Sequence, residues 1–284
     1  MISYSVNLIE NIINLFENII KFYLEKVPLD RCDEYIYLKL EQNNTENLKN
    51  LKFLNQIDFK DISMRYDINS EIILKDVNFC IKNNEKIAII GRTGSGKTSL
   101  ILALLRIIQG NKYIINGNIF IDNIDINKID LYYLRDNLSV VSQFPLVFEG
   151  TLKENLDPKN LYTNEYILNK IKENEFFEKI YMKIGDLKNL INLNELSISE
   201  KQLICIFRAI LKNKNILIFD EATANVDINS EKIFYDILNK ISINKIIISI
   251  VHKLDYINYF NRIFIVNNGK VYESKDKEEI NKLL

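Results

Sequence analysis

The segment Gly91-Arg92-Thr93-Gly94-Ser95-Gly96-Lys97-Thr98 constrains the fold of this chain more than any other stretch. It follows an apolar run, Lys86 to Ile90, and opens a second one, Thr98 to Ile108. Strand, glycine turn and helix therefore follow one another as the pattern G-x-x-x-x-G-K-[ST] requires. The chain has only eight glycines in 284 residues, and three of them fall in this loop. Glycines let backbone N–H groups turn inward around phosphate oxygens, and the helix N-terminus adds its positive end. Lys97 is placed to reach β- and γ-phosphates, and the Thr98 hydroxyl to ligate Mg²⁺. The loop predicts a nucleotide site within an α/β fold.

The other periodicities agree. Ile216 to Phe219, Ile246 to Val251 and Ile263 to Val266 are short continuous apolar runs, which suit strands covered on both faces of a parallel sheet. Ile57 to Lys60 and Ile62 to Tyr66 alternate and read as two further strands, followed by Val77 to Ile81. Leu152 to Leu196 has helical periodicity with a break at Asp157-Pro158. At the start, Val6, Ile9, Ile13, Phe16, Ile20, Tyr23 and Val27 step by three and four, with a second stripe from Leu8 to Phe22. That spacing predicts a helix packed among other helices. Glu10, Glu17 and Lys21 interrupt it as a complete membrane span, and no basic segment or cleavage site marks it as a signal peptide. Pro28 is expected to close this helix, and Glu41 to Lys52 reads as a polar linker.

Composition narrows the function classes. At 47% hydrophobic and 26% charged the chain is globular, and its length suits one large domain with an appendage. A net charge of −1 offers no basic surplus for a nucleic-acid backbone. Cys32, Cys80 and Cys205 are scattered and odd in number, which fits neither a disulfide framework nor a zinc site and favours a reducing compartment.

Asp220-Glu221 closes the apolar run Ile216 to Phe219. The first carboxylate stands where a second metal contact belongs, and the second could polarise an attacking water. With Leu196-Ser-Ile-Ser-Glu-Lys-Gln-Leu203, Arg208-Ala209, Asp220-Glu-Ala-Thr-Ala-Asn-Val-Asp227 and the lone His252, the chain resembles an ATP-binding cassette (ABC) protein. The stretch from Val140 through Gln143 to Asp157-Pro158 resembles the C subfamily, the multidrug-resistance-associated transporters. The likeness runs from about Ile57 to the C-terminus.

The resemblance implies a P-loop NTPase core with a RecA-like, mostly parallel sheet, an antiparallel β subdomain and an inserted α-helical subdomain at about 144–204. It implies a cassette over 56–284, preceded over 1–55 by the cytosolic end of a membrane-spanning helix and its linker. ATP would lie on Gly91, Arg92, Thr93, Gly94, Ser95, Gly96, Lys97, Thr98 and Ser99. Tyr66 matches the aromatic that stacks on adenine, with an ordinary strand tyrosine as the alternative. Thr98, Gln143 and Asp220 match the Mg²⁺ contacts. Glu221 matches the residue acting on water, and His252 the switch histidine at the γ-phosphate. Ser197, Ser199, Glu200 and Asp227 match the signature and D-loop at the seam with a second cassette, arranged head to tail. The implied partners are that cassette, membrane-spanning domains and ATP, with no nucleic acid. The implied place is the cytoplasmic side of a membrane.

The signature departs from the family's Leu-Ser-Gly-Gly-Gln. Ser199 replaces a glycine whose backbone approaches the partner's ATP, and Glu200 adds a negative charge; both should weaken that contact. Ser197 to Glu200 also reads as a helix capping box. Intact Lys97, Asp220, Glu221 and His252 beside a poor signature resemble the second cassette of a C-subfamily exporter, with transport driven by MgATP hydrolysis. The alternatives are a regulatory module with little turnover, or a soluble ABC ATPase.

Overall fold

The computed structural model describes residues 2–37, 55–67, 69–107, 114–224 and 226–274. The chain divides into two compact units.

The first unit carries helix α1 (Ile2–Ile36), which continues through Pro28 rather than closing there. Proline removes a single backbone donor, and no glycine or second proline follows it within the helix. The ladder resumes beyond it, with the Tyr37 N–H bonded to the Asp33 carbonyl at 3.0 Å. Leu8, Ile12, Phe16 and Phe22 are exposed on its surface. Among the described residues no helix is long and apolar enough to cross a membrane. The linker expected at 41–52 lies outside the described residues.

The second unit contains two sheets. The smaller is antiparallel, in the order β2 (Leu74–Lys82), β1 (Gln56–Met64), β4 (Ile114–Ile121), β5 (Ile124–Asp125). The two runs expected at Ile57–Lys60 and Ile62–Tyr66 form one strand that ends at Met64. They join through a bulge at Asp61, whose φ of 51° absorbs the shift in register. Asn78 secures the bulge, accepting from the Asp61 N–H at 3.0 Å and donating to its carboxylate at 2.7 Å.

The larger sheet runs in the order β10 (Lys270–Glu273), β9 (Arg262–Asn267), β3 (Lys86–Ile90), β8 (Ile246–Ile250), β7 (Ile216–Asp220), β6 (Leu138–Val141). All neighbours are parallel except β10 on β9. Alternate residues of its strands enter two different cores. Ile87, Ile89, Ile218 and Ile248 pack with the small sheet and with Leu100 and Leu104 of helix α2 (Lys97–Leu104). Ala88, Leu217, Phe219 and Ile247 pack on the other side. Burial of both faces explains why these strands are continuous apolar runs.

Helix α2 stops earlier than the apolar run to Ile108 suggested. Arg106 turns to a φ of 50°, and its buried guanidinium donates to the carbonyls of Ile126 and Ile129 at 3.1 and 2.8 Å. Arg135, in α3 (Leu131–Asn137), donates to the carbonyls of Leu105 and Arg106 at 3.0 and 2.8 Å, so distant side chains cap the helix end.

Between β6 and β7 come α4 (Leu152–Leu156), α5 (Asn164–Lys172), α6 (Glu175–Ile184) and α7 (Ile198–Leu211). The Asp157-Pro158 break falls between α4 and α5, as its sequence indicated. Thr151, Thr163, Asn174 and Ser197 cap the four N-termini with side-chain oxygens. Ile167, Ile171, Phe177 and Ile180 pack with Leu203 and Phe207 of α7 in the same core as Phe219 and Phe234. Helix α8 (Ile228–Ile241) follows β7.

Candidate functional site

The strand register brings the singled-out residues to one edge. Asp220 pairs with Ile250, Ile89 with Ile250, and Val141 with Phe219. The glycine loop, Gln143, Asp220-Glu221 and His252 therefore all follow the carboxyl ends of adjacent parallel strands, where ligands bind in open α/β sheets.

Lys97 is only 5% exposed. Its ammonium lies back across the loop, donating to the Gly91 and Arg92 carbonyls at 2.8 and 3.1 Å. Burial lowers its pKa, opposed by the nearby Glu221 and Asp220 carboxylates. Gly96 caps α2 at a φ of 110°, a conformation natural only to glycine. Ser95 Oγ is buried with no partner among the described residues, a polar atom facing the loop that a ligand would satisfy. Tyr66 is 41% exposed and its hydroxyl lies 2.7 Å from Ser99 Oγ, so the ring stands beside the start of α2.

The Thr98 hydroxyl donates to Asp220 Oδ1 at 3.4 Å, setting two hard oxygen donors side by side, as Mg²⁺ prefers. Gln143 follows β6 at the same edge. Burial raises the Asp220 pKa, reinforced by Glu221 and offset by Thr98 and Lys97. Because the folded value lies above the unfolded one, this group favours folding in acid and opposes it as pH rises through that value. Asp220→Asn is therefore expected to raise the melting temperature of the ligand-free chain at neutral pH. Scanning calorimetry over a pH series should show wild type and variant converging below about pH 4.

Glu221 sits just past the strand at a φ of 51°, strained for a residue with a side chain. Its Oε1 lies 2.5 Å from His252 Nε2. The carboxylate is 17% exposed and the imidazole 35%, so both remain open to the edge.

Ser197, Ser199 and Glu200 at the start of α7 form a cluster of their own with Asp227 at the start of α8. Ser197 and Glu200 make the expected capping box. The Glu200 charge does not stand free: its carboxylate accepts from Lys183 Nζ at 2.7 and 2.9 Å. Burial works to raise its pKa, yet Lys183 and the Ser197 N–H lower it overall. Ser199 Oγ accepts from the Asp227 N–H at 3.3 Å. Asp227 caps α8, and the Ser230 N–H and hydroxyl hold its pKa down at about 2.

Three residues of the region carried no role in the sequence reading. Gln202 donates to the Ser142 carbonyl at 2.9 Å, and Arg208 to those of Asn155 and Leu146 at 2.7 and 3.0 Å. Asn155, fully buried, exchanges bonds with both backbone groups of Phe148. Together they fix the backbone on either side of Gln143. Gln202 and Arg208 lie within motifs of the sequence, and Asn155 within the Val140 to Pro158 stretch, but the bonds these three make are not visible there.

Residues 74–224 match the ABC transporter family. The metal resistance protein YCF1 of Saccharomyces cerevisiae is 36% identical over 280 residues, covering 96% of this chain and 18% of the relative. ABC multidrug transporter B of Aspergillus fumigatus is 38% identical over 220 residues, covering 78% of this chain and 15% of the relative. ABC transporter C family member 7 of Dictyostelium discoideum is 33% identical over 274 residues, 92% of this chain and 20% of the relative. The chain thus spans about a fifth or less of the length of these relatives. A bacterial Atm1-family ABC exporter, solved with ATP bound, superposes with a TM-score of 0.79 at 22% identity, over 90% of this chain and 45% of that one. The mostly parallel sheet, its antiparallel companion and the helices between β6 and β7 have that fold. With a family match across more than half its length, the chain belongs to the ABC transporter family.

Proposed function

We propose that residues 56–284 are the second, C-terminal nucleotide-binding domain of a C-subfamily export transporter, and that 1–55 supply the cytosolic end of a membrane helix and its linker. The observation that carries this reading is the Glu221–His252 pair at 2.5 Å, set at the strand edge beside the Lys97 loop. ATP would rest its phosphates on the amides of Gly91 to Ser99, with Lys97 against the β- and γ-phosphates and Tyr66 against the base. Thr98, Asp220 and Gln143 would hold Mg²⁺, whose chemistry is to neutralise charge on the phosphoryl oxygens. Glu221 orients the attacking water and accepts its proton at the carboxylate. His252 holds that carboxylate through Nε2 and is placed to contact the γ-phosphate.

The poor signature at Ser199 and Glu200 would face the partner's nucleotide, while the partner's signature completes this site. A regulatory cassette with little turnover is the second reading, favoured by the side chain at Ser199. Single-turnover hydrolysis with a partner cassette present separates the two.

The transporter reading is tested by the size and partitioning of the native polypeptide, probed with an antibody to residues 160–190. A band far above 33.4 kDa in the membrane fraction is expected. A freely soluble band near that mass would remove the exporter and leave a soluble cassette.

A further inference from the structure

Glu231 is a carboxylate 2% exposed, and its Oε2 lies 2.6 Å from Lys253 Nζ. A charge that deep persists only when paired, because desolvation otherwise outweighs it. Its partner is the residue immediately after His252. Val251 to Lys253 form neither strand nor helix, bridging β8 and the 3-10 turn Leu254–Tyr259. The backbone is tied before the histidine by the Val251 N–H bonded to the Ile89 carbonyl at 3.1 Å. Beyond the histidine, the tie is Lys253 on Glu231. Tyr235 is fully buried and stacks on Tyr256 at 4.3 Å, an aromatic wall beside this carboxylate; burial raises the Tyr235 pKa, and the Glu231 charge adds to it.

We propose that Glu231 is the positioning residue of the His252–Glu221 pair, acting through Lys253. This rests on the reading of His252 as the group that holds Glu221 and contacts the γ-phosphate. Glu231 also lies in the first turn of α8, whose cap is Asp227. The Asp227 N–H donates to Ser199 Oγ, so one chain of contacts runs from the signature, through the start of α8, to the switch histidine. The signature cluster and the strand-edge cluster are in this way parts of one connected device.

His252 is the only histidine in the 284-residue chain, so its imidazole gives a single resonance after selective ¹³C labelling. Glu231→Gln with Lys253→Met removes both charges and avoids leaving either one buried alone. In that folded variant the His252 resonance is expected to move and broaden, since the ring no longer holds its place against Glu221. MgATP hydrolysis is expected to fall about tenfold or more while ATP affinity changes less than about twofold, because misplacing a reacting group costs rate before binding. Lys253→Arg, which keeps the pair, should retain both signals. An unmoved His252 resonance in the folded double variant would overturn the inference. Should the double variant fail to fold, Glu231→Asp, which withdraws the carboxylate by one methylene, decides in the same way. If the wild-type chain hydrolyses nothing with a partner cassette present, the catalytic reading falls, but the resonance still reports whether Glu231 places the ring.

Discussion

Glu221→Gln should leave MgATP bound and nearly stop its hydrolysis. The substitution keeps the shape of the side chain and a hydrogen-bonding partner for His252, but removes the group that can take a proton from water. General-base assistance is worth about 10²–10⁴ in rate, so a fall of at least a hundredfold in single-turnover hydrolysis is expected. Affinity should hold or rise, because the edge already carries the half-buried Asp220, and Glu221 adds a second charge that raises its pKa. Rapid-quench measurement of phosphate release, paired with equilibrium binding, checks both parts. Turnover at the wild-type rate would take the catalytic role from Glu221 and leave it a strand-end acid.

Gly91→Ala should weaken both the fold and the nucleotide loop. A Cβ at Gly91 would lie 2.3 Å from the carbonyl oxygen of Val266 in β9, at a φ of +153°. Backbone cannot yield there without moving β9 or the loop. Overpacking and strain together suggest a loss of about 2–4 kcal/mol, or about 5–10 °C in melting temperature. Gly94 is the control, because a Cβ there meets nothing within 4 Å. At a φ of +79° Gly94→Ala carries only the left-handed penalty of about 1–2 kcal/mol. Calorimetry of the two variants separates steric clash from conformational preference. Equal losses would show that the approach of β9 does not matter.

Much of the site was legible because its chemistry is local. The glycine loop is a contiguous run, the acids close an apolar strand, and His252 follows one. What brings them together is the pairing of β3, β7 and β8, which no local pattern states; the apolar runs announced a parallel sheet but not its order. The misses have the same origin. The bulge at Asp61 is settled by Asn78 on the neighbouring strand, so one strand read as two. The end of α2 is capped by Arg135, thirty residues from Leu105, and α1 runs on past Pro28 with its ladder resuming at Tyr37. The capping box at Ser197 to Glu200 is legible in the motif, but the Lys183 partner of Glu200, on another helix, is not. Glu231 gave no signal at all, since its worth lies in burial and in a partner distant along the chain, and the stretch that holds Asn155 did not show what Asn155 does.

The central claim is that the edge formed by Gly91 to Ser99, Asp220, Glu221 and His252 binds MgATP. Amide hydrogen exchange of the chain, with and without MgATP, tests it most directly. The account predicts slowed exchange at Arg92 to Ser99, where the loop amides and the start of α2 would close on the phosphates, and at the amides of Glu221 and His252. Unchanged exchange across that loop at saturating MgATP, or protection confined to another part of the chain, would contradict it.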